Sequence, residues 1–215
     1  MTRPVEVFPN AEELSQRASA LVEESIATAL EPRRVARIAV SGGSTPKRTY
    51  QLLGERGSLR RDGVEIFFVD ERCVPPTDHA SNFKLFAEAA GDTGNVFRMR
   101  GEIDPDVAAE EYEALLRERF GDGPPAFDVI LLGVGPDGHT ASLFPGEPEL
   151  DERRRWVVAT RRPQGWVRRI TLTLPVLNAA RAAVVLATGA DKSKAVAGIL
   201  SGGTGPAARC DNSSA

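Results

Sequence analysis

Apolar residues recur along this chain with two different spacings, and the alternation between them predicts its architecture. Leu14, Ala18, Leu21, Val22, Ile26, Ala29 and Leu30 return every three or four positions, which predicts an amphipathic helix over roughly 11–30, ended near Pro32. Asn10 followed three residues later by Glu13 forms a capping-box start for it. Short, almost unbroken apolar runs read differently. Arg37–Val40, Val64–Val69, Phe127–Leu132 and Ala183–Ala187 have strand length and leave no polar face, as strands covered on both sides do. Asn95–Met99, Trp156–Thr160 and Arg169–Leu174 are three further strand candidates. Helices are expected from Pro46 to about Gly57 with Thr45 as N-cap, over Ser81–Ala90, and from Pro105 behind an Asp104 cap to Phe120. Two more are expected, a short one opened by Pro175 and another running to about Leu200.

Strands alternating with helices predict an α/β fold: a three-layer, doubly wound and mainly parallel sheet with helices on both faces. Residues 1–200 read as a single domain. Residues 201–215, rich in Gly, Ser and Asn without apolar period, read as a loose tail. In open sheets of this kind ligands bind outside the carboxyl ends of the strands, so the strand-end loops are the places to look for chemistry.

Four such loops stand out. Ser41-Gly42-Gly43-Ser44-Thr45 links a strand to a helix start, where glycines admit a close ligand and free N–H groups favour an anion such as phosphate. It has neither the Gly-x4-Gly-Lys-Ser/Thr of a P-loop nor the third glycine of a dinucleotide fingerprint. Asp70-Glu71-Arg72 closes the second strand; one of its acids is a candidate to orient a catalytic group, and Arg72 is suited to anionic charge. Gly133-Val-Gly-Pro-Asp137-Gly-His139-Thr-Ala-Ser-Leu-Phe-Pro145 presents one of the chain's two histidines, the other being His79. A histidine on a loop that core packing does not explain is a candidate acid–base group, and Asp137 is near enough in a loop to fix its tautomer. Arg168-Arg169, opening a strand, and Lys192, at a helix start where the dipole disfavours a cation, complete the set.

Composition narrows the partners. The chain has 215 residues and a net charge of −3, which argues against nucleic acid. No apolar run approaches the ~18 residues of a membrane span, and the N-terminus lacks a signal-peptide core. Cys73 and Cys210 stand alone, fitting a reduced cytoplasmic setting. Two histidines without clustered cysteines or carboxylates give no reason to expect a metal, and no Gly-x-Ser-x-Gly elbow is present.

Taken together, Ser41–Pro46, Val69-Asp-Glu-Arg-Cys-Val-Pro75, Ser81-Asn82, Gly133–Pro145 and Arg169-Ile-Thr-Leu-Thr resemble the 6-phosphogluconolactonases of the glucosamine-6-phosphate isomerase/6-phosphogluconolactonase family, in the right order over about residues 10–200. The resemblance implies the Rossmann-like fold of glucosamine-6-phosphate deaminases and ribose-5-phosphate isomerases. It also implies a carboxylic ester hydrolase that opens 6-phospho-D-glucono-1,5-lactone to 6-phospho-D-gluconate in the oxidative pentose phosphate pathway, without a cofactor. In that picture His139 activates water, Asp137 or Asp70 orients it, and Arg72 with backbone N–H groups near Gly133–Gly135 stabilises the oxyanion. Gly42, Gly43, Ser44, Thr45, Arg169 and Lys192 grip the phosphate. The expected partner is this small phosphosugar, with no nucleic acid and no membrane, and the expected assembly is a monomer or weak homo-oligomer. The alternatives are a deaminase-like isomerase and a non-catalytic sugar-phosphate module. Ser142-Leu-Phe-Pro145 stands where deaminases carry an Asn-Glu pair, which disfavours the first. The family continues to a final strand and helix past a segment that Gly205–Cys210 begins to match, so the C-terminal strand is expected to be missing and a sheet edge uncovered.

Overall fold

The structure is a computed structural model that describes residues 4–160, 167–203 and 205–210. Its centre is a five-stranded parallel sheet formed by β1 (Ala36–Val40), β2 (Val64–Phe68), β4 (Asn95–Phe97), β5 (Val129–Gly133) and β8 (Ala183–Leu186), in the order β4-β2-β1-β5-β8. Alternation within the strands divides the core in two. Ala39, Phe67, Ile130 and Leu132 point to one face, while Ile38, Val40, Ile66, Phe68, Val129 and Leu131 point to the other, and all are buried. The second face is covered by α1 (Ala11–Arg33), α2 (Ser44–Glu55) and α3 (Asn82–Ala90). The first is covered by α4 (Pro105–Phe120), α5 (Leu174–Ala179) and a small second sheet. α6 (Ser193–Leu200) follows β8.

Local chemistry explains most boundaries. Asn10 Oδ1 accepts the Glu13 N–H at 2.9 Å, and α1 runs past Pro32 to a left-handed Arg34 at φ 58°. Ala18, Val22, Ile26 and Ala29, spaced for one helical face, are its buried stripe. Asp104 Oδ1 accepts from the Asp106 and Val107 N–H groups with Pro105 in the first turn of α4. Thr45, expected to cap α2, does not. The cap is Gly43 at φ 104°, a conformation open to glycine, and the Thr45 hydroxyl instead meets Thr188 Oγ1 at 3.0 Å.

The second sheet departs from the single-sheet expectation. Asp70–Arg72, expected as loop, is a three-residue strand, β3, pairing antiparallel with β7 (Arg169–Leu172), which pairs antiparallel with β6 (Val157–Ala159). The chain leaves β2 at Val69, whose N–H still bonds Val40 O, and enters the second sheet one residue later. That step carries Asp70 and Arg72 beside Thr171 and Arg169. The stretch expected to be a loose tail carries a 3₁₀ turn at Pro206–Arg209, with Ala207, Ala208 and Cys210 buried. β8 ends the sheet order on one side. No helix among the described residues is long and apolar enough to cross a membrane.

Strand order reverses between β1 and β5. Chain connections from β1 lead outward through β2 to β4, and those from β5 lead the other way to β8. The carboxyl ends of β1 and β5 therefore open a crevice between the Ser41–Thr45 and Gly133–His139 loops, the place where this topology binds ligands.

Candidate active site

A cavity of about 190 Å³ fills that crevice. The ends of β1 and β5, the start of α2, β3, β7 and the turn before α6 all reach it, so Gly42, Gly43, Ser44, Thr45, Asp70, Arg72, His139, Arg169 and Lys192 share one wall-to-wall site. His79 is not part of it; its side chain is 95% exposed beside Asp78.

The histidine loop is held by its own backbone. Gly135 N–H donates to His139 O at 2.8 Å, Gly138 N–H to Gly135 O at 2.9 Å, and Thr140 Oγ1 to Gly133 O at 2.8 Å. Gly138 takes φ 83°, so the loop doubles back and brings residues two apart face to face. Asp137 Oδ1 then lies 2.6 Å from His139 Nδ1 and also accepts the His139 N–H at 3.1 Å. Partial burial raises the Asp137 carboxyl, but these two hydrogen bonds outweigh it and hold it below the usual carboxylate range. An ionised Asp137 keeps the imidazole proton on Nδ1 and leaves Nε2 as the open nitrogen. The ring packs on Phe144, with centroids 4.5 Å apart.

Gly135 has a steric role. A Cβ there would lie 2.0 Å from His139 Nδ1 and 2.6 Å from Asp137 Oδ1, so the dyad occupies the space a side chain would need. The same hydrogen bond that shapes the loop commits the Gly135 N–H to His139 O. This corrects the expectation that it serves as an oxyanion donor.

Asp70 does not reach the imidazole in the described hydrogen bonds. Its carboxylate accepts from Ser142 Oγ at 2.6 Å and Asn82 Nδ2 at 3.1 Å, and it is almost wholly buried. Glu71 is structural as well. It accepts the N–H groups of Arg72, Asn82 and Phe83 and the Ser81 hydroxyl, fixing the start of α3. Burial raises its carboxyl despite those donors. Arg72 Nη1 donates to Ala80 O, while its Nε is buried without a partner among the described residues.

Other residues of the cavity lining suit an anion. Gly43 caps α2 with no side-chain hydrogen bond, so the first N–H groups of a twelve-residue helix remain for a ligand. Gly42 is required for close approach, since a Cβ would lie 1.8 Å from Asn82 Oδ1. Lys192 ends the turn Ala190–Lys192 with its Nζ 3.3 Å from Asp191 Oδ2, and Arg169 enters from β7. Arg168 points elsewhere, to Asp106 at 3.0 Å. Asn82 and Ser142 are site residues to which the sequence reading assigns no role there. Both are buried polar groups whose use depends on Asp70, 12 and 72 positions away. No cluster of three or more His, Cys, Asp or Glu arranged for a metal occurs among the described residues.

Comparison with known proteins adds four likenesses. A family model described as glucosamine-6-phosphate isomerases/6-phosphogluconolactonase matches residues 9–214. The 6-phosphogluconolactonase of Homo sapiens is 38% identical over 210 residues, covering 91% of this chain and 81% of that protein. That of Treponema pallidum is 36% identical over 181 residues, covering 80% and 75%. A solved 6-phosphogluconolactonase from Trypanosoma brucei superposes with a TM-score of 0.86 at 31% identity, covering 98% of this chain and 92% of that one.

Proposed function

The chain belongs to the glucosamine-6-phosphate isomerase/6-phosphogluconolactonase family, and from that premise we propose that it hydrolyses 6-phospho-D-glucono-1,5-lactone to 6-phospho-D-gluconate. The observation that carries the reading is the hydrogen-bonded His139–Asp137 pair beside a cavity that also gathers a helix N-terminus, Arg169 and Lys192.

The phosphate sits at the start of α2, held by Ser44, Thr45 and the N–H groups behind Gly43, with Arg169 and Lys192 as cations. This grip sets the lactone carbonyl near His139 without joining the bond changes. Nε2 of His139 takes a proton from water as the water oxygen bonds to the carbonyl carbon. The imidazolium is stabilised by Asp137. Negative charge on the former carbonyl oxygen falls to Arg72, which lines the cavity. Collapse breaks the bond from carbon to ring oxygen, and the imidazolium returns its proton to that oxygen. The products are a hydroxyl and a carboxylic acid, which ionises. No cofactor enters these steps. One chain supplies every group they use, so a monomer or weak homo-oligomer suffices, and the free thiols Cys73 and Cys210 accord with a cytoplasmic setting.

The test is a coupled assay of 6-phosphogluconate formation with the lactone generated in place, at a pH where spontaneous opening is slow. His139→Ala is expected to lower kcat by roughly 10²–10⁴. Near wild-type turnover removes His139 from the base role. Ammonia release from glucosamine 6-phosphate in place of lactone turnover reassigns the chain to deamination.

A further inference from the structure

Ser142 is buried at 1% exposure under the cavity, and nothing in the steps above uses it. Its hydroxyl lies between two groups of opposite charge. It donates to Asp70 Oδ2 at 2.6 Å and accepts from Arg169 Nη1 at 3.4 Å. A carboxylate only accepts and a guanidinium only donates, so a hydroxyl is a group that can link them in one chain of hydrogen bonds. The backbone is shaped to bring it there. Ala141, immediately before, takes φ 49°, a left-handed conformation that costs a residue with a Cβ and persists where surrounding structure enforces it. The Ser142 N–H is then pinned to Thr171 Oγ1 at 3.1 Å, on the same strand as Arg169. Asp70 is fixed on its other side by Asn82 Nδ2, which also donates to Asp70 O at 2.9 Å. Arg169 has a further restraint in the Phe144 ring, 5.4 Å from its guanidinium carbon.

We infer that Ser142 is a positioning residue: it couples the buried Asp70 carboxylate to Arg169 and so holds the guanidinium in its phosphate-binding pose. The role of Asp70 follows from the same geometry. It is the fixed anion behind the phosphate grip, not the orienting partner of the imidazole. This inference rests on the phosphate-binding reading of Arg169 above.

The experiment compares 6-phospho-glucono-1,5-lactone with unphosphorylated glucono-1,5-lactone in wild type, Ser142→Ala, Arg169→Ala and the double variant. Ser142→Ala is expected to raise KM for the phosphorylated lactone about tenfold, the scale of one lost hydrogen bond to a charged group, with kcat within about twofold. Kinetics on the unphosphorylated lactone are expected to stay unchanged. Adding Ser142→Ala to Arg169→Ala is expected to cost nothing further, since the serine acts through the arginine. A merely structural role for Ser142 lowers kcat on both substrates equally and leaves KM alone. That pattern, or losses that add in the double variant, overturns the inference. If Ser142→Ala does not fold, Asp70→Asn removes the negative charge at the far end of the same bridge and is expected to give the same KM-selective loss. If Arg169→Ala raises KM selectively while Ser142→Ala does not, the bridge alone fails. If Arg169→Ala affects both lactones alike, the phosphate reading fails with it.

Discussion

Gly135→Ala tests the dyad through a residue that carries no functional group. Gly135 lies outside the positive-φ region, so alanine meets no backbone strain and the perturbation is steric. Its Cβ would fall 2.0 Å from His139 Nδ1, 2.2 Å from Cε1 and 2.6 Å from Asp137 Oδ1. Ordinary contact begins near ~3.5 Å, so the imidazole must retreat by about 1.5 Å or the dyad must open. A misplacement of about 1 Å in a reacting group costs on the order of 10²-fold, and loss of the base altogether on the order of 10⁴-fold at most. The expected fall in kcat/KM for the phosphorylated lactone is therefore roughly 10²–10⁴-fold, with inhibition by inorganic phosphate unchanged because the anion end is untouched. Two controls isolate the cause. Gly133→Ala, whose Cβ meets only Gly42 O at 3.9 Å, is expected to stay close to wild type. Gly135→Ala in a His139→Ala background is expected to add nothing, because both act on the same base. A folded Gly135→Ala enzyme with activity within about threefold of wild type refutes the placement of the imidazole, since a displaced base entails a far larger loss.

Lys192→Ala should raise KM for the phosphorylated lactone and leave the unphosphorylated one unaffected; equal losses on both remove Lys192 from the phosphate site. Glu102 offers a pH test of stability away from the cavity. The Arg98 guanidinium, hydrogen-bonded to it at 2.7 and 2.8 Å, holds its carboxyl down at about 2, against an ordinary 4.5. A depressed acid adds stability that is present above about 4.5 and fades as pH falls toward 2, so the gap between wild type and Glu102→Gln should close over that window in denaturant titrations. The pair is partly exposed, which keeps the gap at about 1 kcal/mol or less. A gap that stays constant from about pH 6 to about pH 2 refutes the assignment.

What is legible in the sequence, and what is not, divides by the range of the interactions involved. Helix faces and parallel strands follow from period and run length, and α1, β1, β2, β5 and α4 lie within a few residues of expectation because burial on known faces fixes them. The His139–Asp137 contact is also within reach, since glycines at 135 and 138 announce a loop tight enough to fold two neighbours together. Asp70–Arg72 reads as a solvated loop because three charges in a row rarely enter a sheet. Its pairing partner is β7, about a hundred residues away, and no local signal points there. Thr45 has the chemistry of an N-cap, but the left-handed turn at Gly43 starts the helix earlier and frees the hydroxyl for Thr188.

The same division explains why sequence alone offers Asp70 to the imidazole and gives Ser142 no part. Two acids in strand-end loops are interchangeable as partners for His139 until their positions in space are known. In the fold they make separate sets of contacts. Asp137 sits in the histidine's own loop, and its hydrogen bonds are local. Asp70 sits at the point where the chain crosses from the parallel sheet into the antiparallel one, and its bonds run to Asn82 and Ser142. That crossing is what places a strand bearing Arg169 opposite a helix N-terminus from the other sheet. The proposed phosphate grip, drawn from elements of both sheets, needs a rigid joint between them. Asp70 supplies that joint, bonded to the start of α3 on one side and to the histidine loop on the other. The His139–Asp137 pair is thus built within one loop, while the contacts of Asp70 and Arg169 are built between layers, so spacing offers Asp137 as one of two candidate partners and is silent on the contacts that separate them.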